Sequence, residues 1–130
     1  MPAPSVATYS AAALVAAHTA FLNLIDAGSG AGFIRLRSAA DTLLAQVPLD
    51  DPAGTVNGTT GQLTFDIAGP DASAAATGDA AYAEFCDSDG VVHLALPAQS
   101  GTAPVPGALV MNTVSIVIGA PVYVLSATIG

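Results

Sequence analysis

Apolar positions along this chain follow two different periods, and the change between them predicts its architecture. From Ser10 onward Leu14, His18, Phe21 and Ile25 fall at i, i+4, i+7 and i+11, one stripe of a helix, and Val15 and Leu22 widen it. Ser10 is the expected N-cap, and Gly28, which tolerates a left-handed backbone, is the expected stop, so a helix is predicted over about 10–27. Beyond Asp26-Ala27-Gly28-Ser29-Gly30-Ala31-Gly32 the period falls to two. Phe33-Ile34-Arg35-Leu36-Arg37 puts Ile34 and Leu36 on one face and both arginines on the other. Leu43, Ala45, Val47 and Leu49 then alternate against Thr42, Leu44, Gln46 and Pro48.

A loop is expected over Asp50–Gly61, where Asp, Pro, Gly and Asn cluster, followed by an alternating strand at Leu63–Ile67. After the Ala/Ser/Gly-rich stretch Gly69–Gly78, the runs Ala80–Phe85 and Val91–Leu96 flank Asp89-Gly90, a tight-turn signal that predicts a hairpin. Pro97–Gly107 reads as a loop, Ala108–Met111 as a short strand, and Val114–Ile118 and Val122–Ile129 as two strands around Gly119-Ala120-Pro121. One helix followed by short strands and Gly/Pro turns predicts a mainly β domain over 1–130. Its expected form is an antiparallel β-sandwich or jelly-roll-like barrel behind an N-terminal arm and helix.

Composition narrows the function. The chain is 52% hydrophobic and 9% charged, its only fixed cations are Arg35 and Arg37, and its formal net charge is −8. Direct nucleic-acid binding needs Lys and Arg to displace counterions from phosphate, so it is not expected; anionic membrane surfaces are disfavoured for the same reason. The apolar stretch Ala11–Ile25 is too short to span a bilayer, and Met1-Pro2-Ala3-Pro4-Ser5 lacks the basic start of a signal peptide. The acids read as spread along the chain, giving a soluble, weakly self-repelling surface made in a cytoplasm.

Few side chains are available for chemistry. Cys86 cannot form a disulfide within the chain and reads as a small buried hydrophobe, with His93 the only local base that could activate it. Asp87-Ser88-Asp89-Gly90 opens like a calcium loop, but position twelve is Ala98 rather than Glu, so a hairpin turn is expected. Asp50-Asp51 has no third ligand near it in sequence. Gly28–Gly32 follows a helix, whereas phosphate-binding glycine loops follow a strand and open one. His18 reads as a packed histidine, and His18, His93 and Cys86 do not match a zinc spacing. No catalytic residue, cofactor site or metal site is therefore assigned, and an enzyme is not expected. Arg35 and Arg37 share one strand face; they pair with carboxylates of the chain itself or make bidentate contacts to a neighbouring subunit.

Several segments taken in order carry a resemblance. They are Asp26–Gly32 running into Phe33–Ser38, then Ala76-Thr77-Gly78-Asp79-Ala80-Ala81-Tyr82, Asp87-Ser88-Asp89-Gly90-Val91-Val92, and Met111–Val122 before a last alternating strand. From about Ser5 onward the chain resembles small virion structural proteins of tailed bacteriophages. The resemblance implies a virion location, and first a capsid decoration (cement) protein that binds between capsomers and stabilises the head. Its partners would be the major capsid protein and copies of itself, in a homo-oligomer on the particle. A neck, collar or tail component is the alternative within that class. Met1–Tyr9 and Pro97–Gly107 are the expected clamping arms. A carbohydrate- or surface-binding β-sandwich module is the alternative of another class, disfavoured by the absence of Trp and the presence of only three Tyr.

Overall fold

Ser10 starts the helix as expected: its Oγ accepts the Ala13 N–H at 3.1 Å, and α1 (Ala11–Ile25) ends at Asp26, whose N–H donates to Leu22 O. The computed structural model describes residues 8–130, so Met1–Ala7 of the expected arm lie outside the described residues. Nine strands follow: β1 (Phe33–Arg37), β2 (Leu43–Val56), β3 (Leu63–Ile67), β4 (Gly78–Asp79), β5 (Tyr82–Cys86), β6 (Val92–Ser100), β7 (Ala108–Met111), β8 (Ser115–Ile116) and β9 (Ser126–Ile129).

Seven of these close into a ring in the order β1-β2-β3-β9-β7-β6-β5, while β4 and β8 form a separate pair. An odd ring cannot alternate direction throughout. Six neighbouring pairs are antiparallel and the seventh, β6 with β7, is parallel. The mainly β class with one helix is therefore established, as a closed barrel of seven strands. Closure leaves no strand edge in the ring open to pairing.

Register explains the core. Ile34 lies opposite Val47 and Phe85, and Leu36 opposite Ala45 and Ala83; Phe85 and Ala83 in turn face Leu94 and Leu96. Directly opposed residues share a face, so these side chains form layers inside the ring, where Ile34, Leu36, Val47, Ala83 and Phe85 are fully buried. Phe85 stacks on Phe65 with centroids 4.3 Å apart, and Phe21 of α1 meets Phe65 edge-on at 6.1 Å. The helix thus lays its predicted stripe across one end of the barrel, with Ile25 and Leu22 buried. His18 is half-buried in that seam, and its Nδ1 donates to Gly61 O at 2.6 Å, because a carbonyl can only accept.

The other end is closed by residues 74–80 and 114–122. Ala80 N donates to Val114 O, Gly119 N to Ala74 O and Ala74 N to Ala120 O. Beneath them Ala74, Ala80, Ile116 and Val122 join the core. Ala81 N donates to Arg37 O, which places this plug at the end of β1 remote from the helix.

Bulges account for the departures from simple alternation. Between Leu36 and Arg37 the partner strand carries one extra residue, Leu44, so Leu44 and Ala45 are both buried and the predicted exposure of Leu44 is overturned. The expected loop at Asp50–Gly61 is largely strand: Asp50-Asp51-Pro52 bulge out, with a cis Asp51–Pro52 bond, and β2 resumes through Val56. Likewise β6 runs through Pro97 to Ser100, shortening the predicted Pro97–Gly107 loop to 101–107. That connection returns over β7 and β9, where Gly107 N donates to Thr128 O and Gly101 N to Met111 O. It covers the outer faces of Ala108 and Val110, which is why all of β7 is buried. The last two predicted strands are shorter than alternation implies. Ile118 N goes to Thr77 Oγ1 and Val122 N to Asp71 O, so those groups fasten the plug instead of extending a ladder.

Candidate interaction surface

The two arginines have different fates. Arg37 donates through Nε to Glu84 Oε1 and through Nη1 to Asp41 O at 3.1 Å, while the Tyr82 hydroxyl donates to Asp41 Oδ1 at 2.7 Å. The hydrogen bond to Glu84 holds the Arg37 guanidinium above its ordinary pKa, and the bond to Asp41 does the same for the Tyr82 phenol. For Arg37 the intramolecular pairing is the one realised. Arg35 instead lies 5.1 Å over the Phe33 ring and donates weakly to Gly90 O at 3.4 Å. Among the described residues it makes no salt bridge, although it stands opposite Glu84 in the ladder.

Asp87 organises the hairpin turn that the Asp-Gly signal announced. Its Oδ1 accepts from Asp89 N and Val91 N, both at 3.0 Å, and its Oδ2 accepts from His93 Nε2 at 3.0 Å. A bulge in β6 makes this possible: Cys86 faces Val92 and Phe85 faces Leu94, leaving His93 as the extra residue. The His93 hydrogen bond and the two backbone bonds hold the Asp87 carboxyl below its ordinary 3.8. A lowered carboxylate contributes stability that is complete above its unfolded pKa and lost as pH falls through the folded one. Acid titration of the thermal midpoint from about pH 5 to about pH 2 should therefore show a loss that is reduced in Asp87→Asn. An identical acid limb in both proteins would remove Asp87 from the account.

Cys86 is fully buried, and burial pushes its thiol above the ordinary value. His93 is turned to Asp87 rather than to the sulfur, and burial outweighs the lowering effect of the Arg35 charge. Alkylation by iodoacetamide is expected to be negligible in the folded protein and complete in denaturant; rapid native labelling would contradict the burial. Asp26, the helix C-cap, is likewise raised by desolvation, opposed by its bond from Ala53 N at 3.0 Å and reinforced by Asp51. The Gly28–Gly32 stretch serves packing. A Cβ on Gly28 would lie 1.7 Å from Ser88 Oγ, and one on Gly32 2.4 Å from Cys86 O.

The surface holds a second pattern. All ten acids and both arginines lie between Asp26 and Asp89, so the residues from Gly90 to Gly130 carry no formal charge when His93 is neutral. This corrects the expectation that acids are spread along the whole chain. In space β6, β7 and β9 of this stretch are neighbours in the ring, but acids lie against the rest of it: Asp79 pairs with Ser115 and Asp71 bridges Val122. Seven of the nine exposed large hydrophobic side chains among the described residues fall in the same stretch. Val117, Ile118 and Tyr123 are 55, 63 and 64% exposed, and Val117 and Tyr123 border a shallow hollow of about 180 Å³ with Met111, Ile116 and Pro121. Alternation alone did not single these residues out. The signal that could have found them is the uninterrupted absence of charge after Asp89.

Comparison with known proteins adds no name: no family model, no curated protein and no solved structure matches this chain. Among the described residues no group of three or more His, Cys, Asp or Glu is placed to hold a metal ion, and no helix is long and apolar enough to cross a membrane.

Proposed function

We propose that this chain is a non-enzymatic structural protein of a virion, made in the host cytoplasm, and that it acts as a capsid decoration protein binding between capsomers. The observation that carries the reading is the group of exposed apolar side chains Val117, Ile118 and Tyr123 at one end of a closed barrel. A surface of Val, Ile, Tyr, Ala and Pro loses little side-chain entropy when covered, unlike one rich in Lys and Glu. Polar side chains of the kinds that serve chemistry are engaged within the fold, as Asp87, His93 and Arg37 illustrate. In this reading the ring is a jelly-roll-like barrel, with β2 and β6 turning its corners. The partners are the major capsid protein and further copies of the chain. Arg35, whose guanidinium makes no salt bridge among the described residues, is offered to a carboxylate across the interface.

The test is copy number in purified particles, by quantitative mass spectrometry against the major capsid protein. A ratio near one, or a simple fraction of it, is expected. A handful of copies per particle would move the protein to the neck, collar or tail, and complete absence would overturn the virion reading.

A further inference from the structure

We infer that residues 101–107 form a hinged strap that lifts as a unit from the outer face of β7 and β9 while the ring of strands stays closed. The device belongs to the fold and does not depend on the virion reading.

Topology forces the path of the strap. β6 and β7 are neighbouring parallel strands, so the chain leaving Ser100 beside Met111 must return to the Ala108 end before β7 begins. Such crossovers usually take a dozen or more residues; here seven suffice. The inner face is filled by Leu109 and Ala127, both fully buried, so the return runs over the outer one. There a Cβ on Gly101 would lie 3.1 Å from Val110 Cγ1. Seven residues reach about 24 Å when extended, whereas the four residues of β7 span only about 13 Å. The strap therefore has slack to bow outward without moving either strand.

Its fastenings are few. Gly101 N donates to Met111 O at 2.8 Å, Gly107 N donates to Thr128 O at 2.7 Å, and Pro106 bridges Thr128. Between these ends no hydrogen bond holds Thr102, Ala103 or Pro104 among the described residues, and residues 102–107 are all exposed. Gly107 has φ +84° and open space around a Cβ, as a hinge free of packing would. What lies beneath opposes closure. Ser126 stands opposite Val110 and Thr128 opposite Ala108, on the outer face. Both hydroxyls are buried without a hydrogen-bond partner. A hydroxyl buried in that way has forfeited the bonds that water gave it, so lifting the strap regains them. Segments with few apolar contacts and an exposed backbone are those that open well below the global unfolding free energy.

The experiment is residue-resolved amide hydrogen exchange of the full chain, followed by NMR at a series of low denaturant concentrations. Relative to their unfolded-chain rates, the Gly101 and Gly107 amides are expected to exchange about a hundredfold or more faster than hydrogen-bonded amides of β1. Their rates should depend little on denaturant, because lifting the strap exposes little surface. Thr128→Val and Ser126→Ala should each slow both amides about tenfold, since each removes a hydroxyl that only the open strap hydrates. Thr64→Val, opposite Thr128 with its side chain already exposed, should leave both rates unchanged. Exchange of Gly101 and Gly107 in step with β1, with the same denaturant slope, would overturn the inference, because the strap would then open only when the barrel unfolds. Rates left unchanged or raised by either hydroxyl variant would overturn it too, as would equal slowing by Thr64→Val. A response confined to one of the two amides would show that the segment does not lift as a unit.

Discussion

Phe85→Ala is expected to lower unfolding free energy by about 3–5 kcal/mol, the range for removing a buried aromatic side chain. The size follows from position. Phe85 is fully buried, stacks on Phe65 at 4.3 Å, and lies between Ile34 and Leu94 in the ladder. Through Phe65 it is one contact from Phe21, so it joins barrel and helix in one aromatic row. Because the ring is closed, its strands have limited freedom to collapse into the space left behind. Single domains are typically stable by about 5–15 kcal/mol, so the variant would be close to unfolding. Denaturant titration of both proteins measures the difference. A loss below about 1 kcal/mol would mean that the ring collapses onto the gap and that the layers inferred from register are not tightly packed.

Gly61→Ala is the second large effect, and it acts on the seam between helix and barrel. Gly61 has φ +79°, and a Cβ there would sit 2.4 Å from Leu14 Cβ and 3.0 Å from Ala11 O. The left-handed backbone costs an alanine about 1–2 kcal/mol, and crowding a packed contact adds about 1–3 kcal/mol. The same substitution pushes the Gly61 carbonyl away from His18 Nδ1, the polar tie between α1 and the turn before β3. The expected result is a lower thermal midpoint together with faster hydrogen exchange across Ala11–Ile25. Gly58→Ala, three residues earlier with open space around its Cβ, is expected to be neutral. Equal behaviour of the two variants would show that the helix does not depend on this close approach.

Much of the fold is legible without coordinates, for local reasons. The helical stripe from Leu14 to Ile25, the Ser10 cap and the Asp-Gly hairpin each depend on interactions within a few residues, and each is present. The burial of Ile34, Leu36, Val47 and Leu49 follows from alternation on a strand with one face to the core. Arg35 and Arg37 were correctly set on the outer face, but nothing in their spacing distinguishes the one that pairs with Glu84 from the one that stacks on Phe33. That difference depends on which strand lies beside β1, and β5 is far away in sequence.

Where alternation failed, a tertiary partner had intervened. Leu44 is buried because a bulge turns it under the 74–80 segment, where a Cβ on Gly78 would touch it. The Asp50-Asp51-Pro52 stretch carries every local sign of a loop, yet β3 pairs with the residues on both sides of it.

By itself the sequence determined the mainly β class, the single helix and its buried face, the main turns, and the confinement of every charged residue to Asp26–Asp89. These are written in local periodicity, in turn chemistry and in the plain order of residues. Only the tertiary structure decided the closure of seven strands into a ring, the one parallel pair that an odd ring demands, and the plugging of its two ends by α1 and the 114–122 segment. Those depend on which strands meet across long stretches of chain, and such pairing is set by the combined packing of the core rather than by any one segment. The same long-range pairing set acids beside the uncharged stretch, Asp79 against Ser115 and Asp71 against Val122.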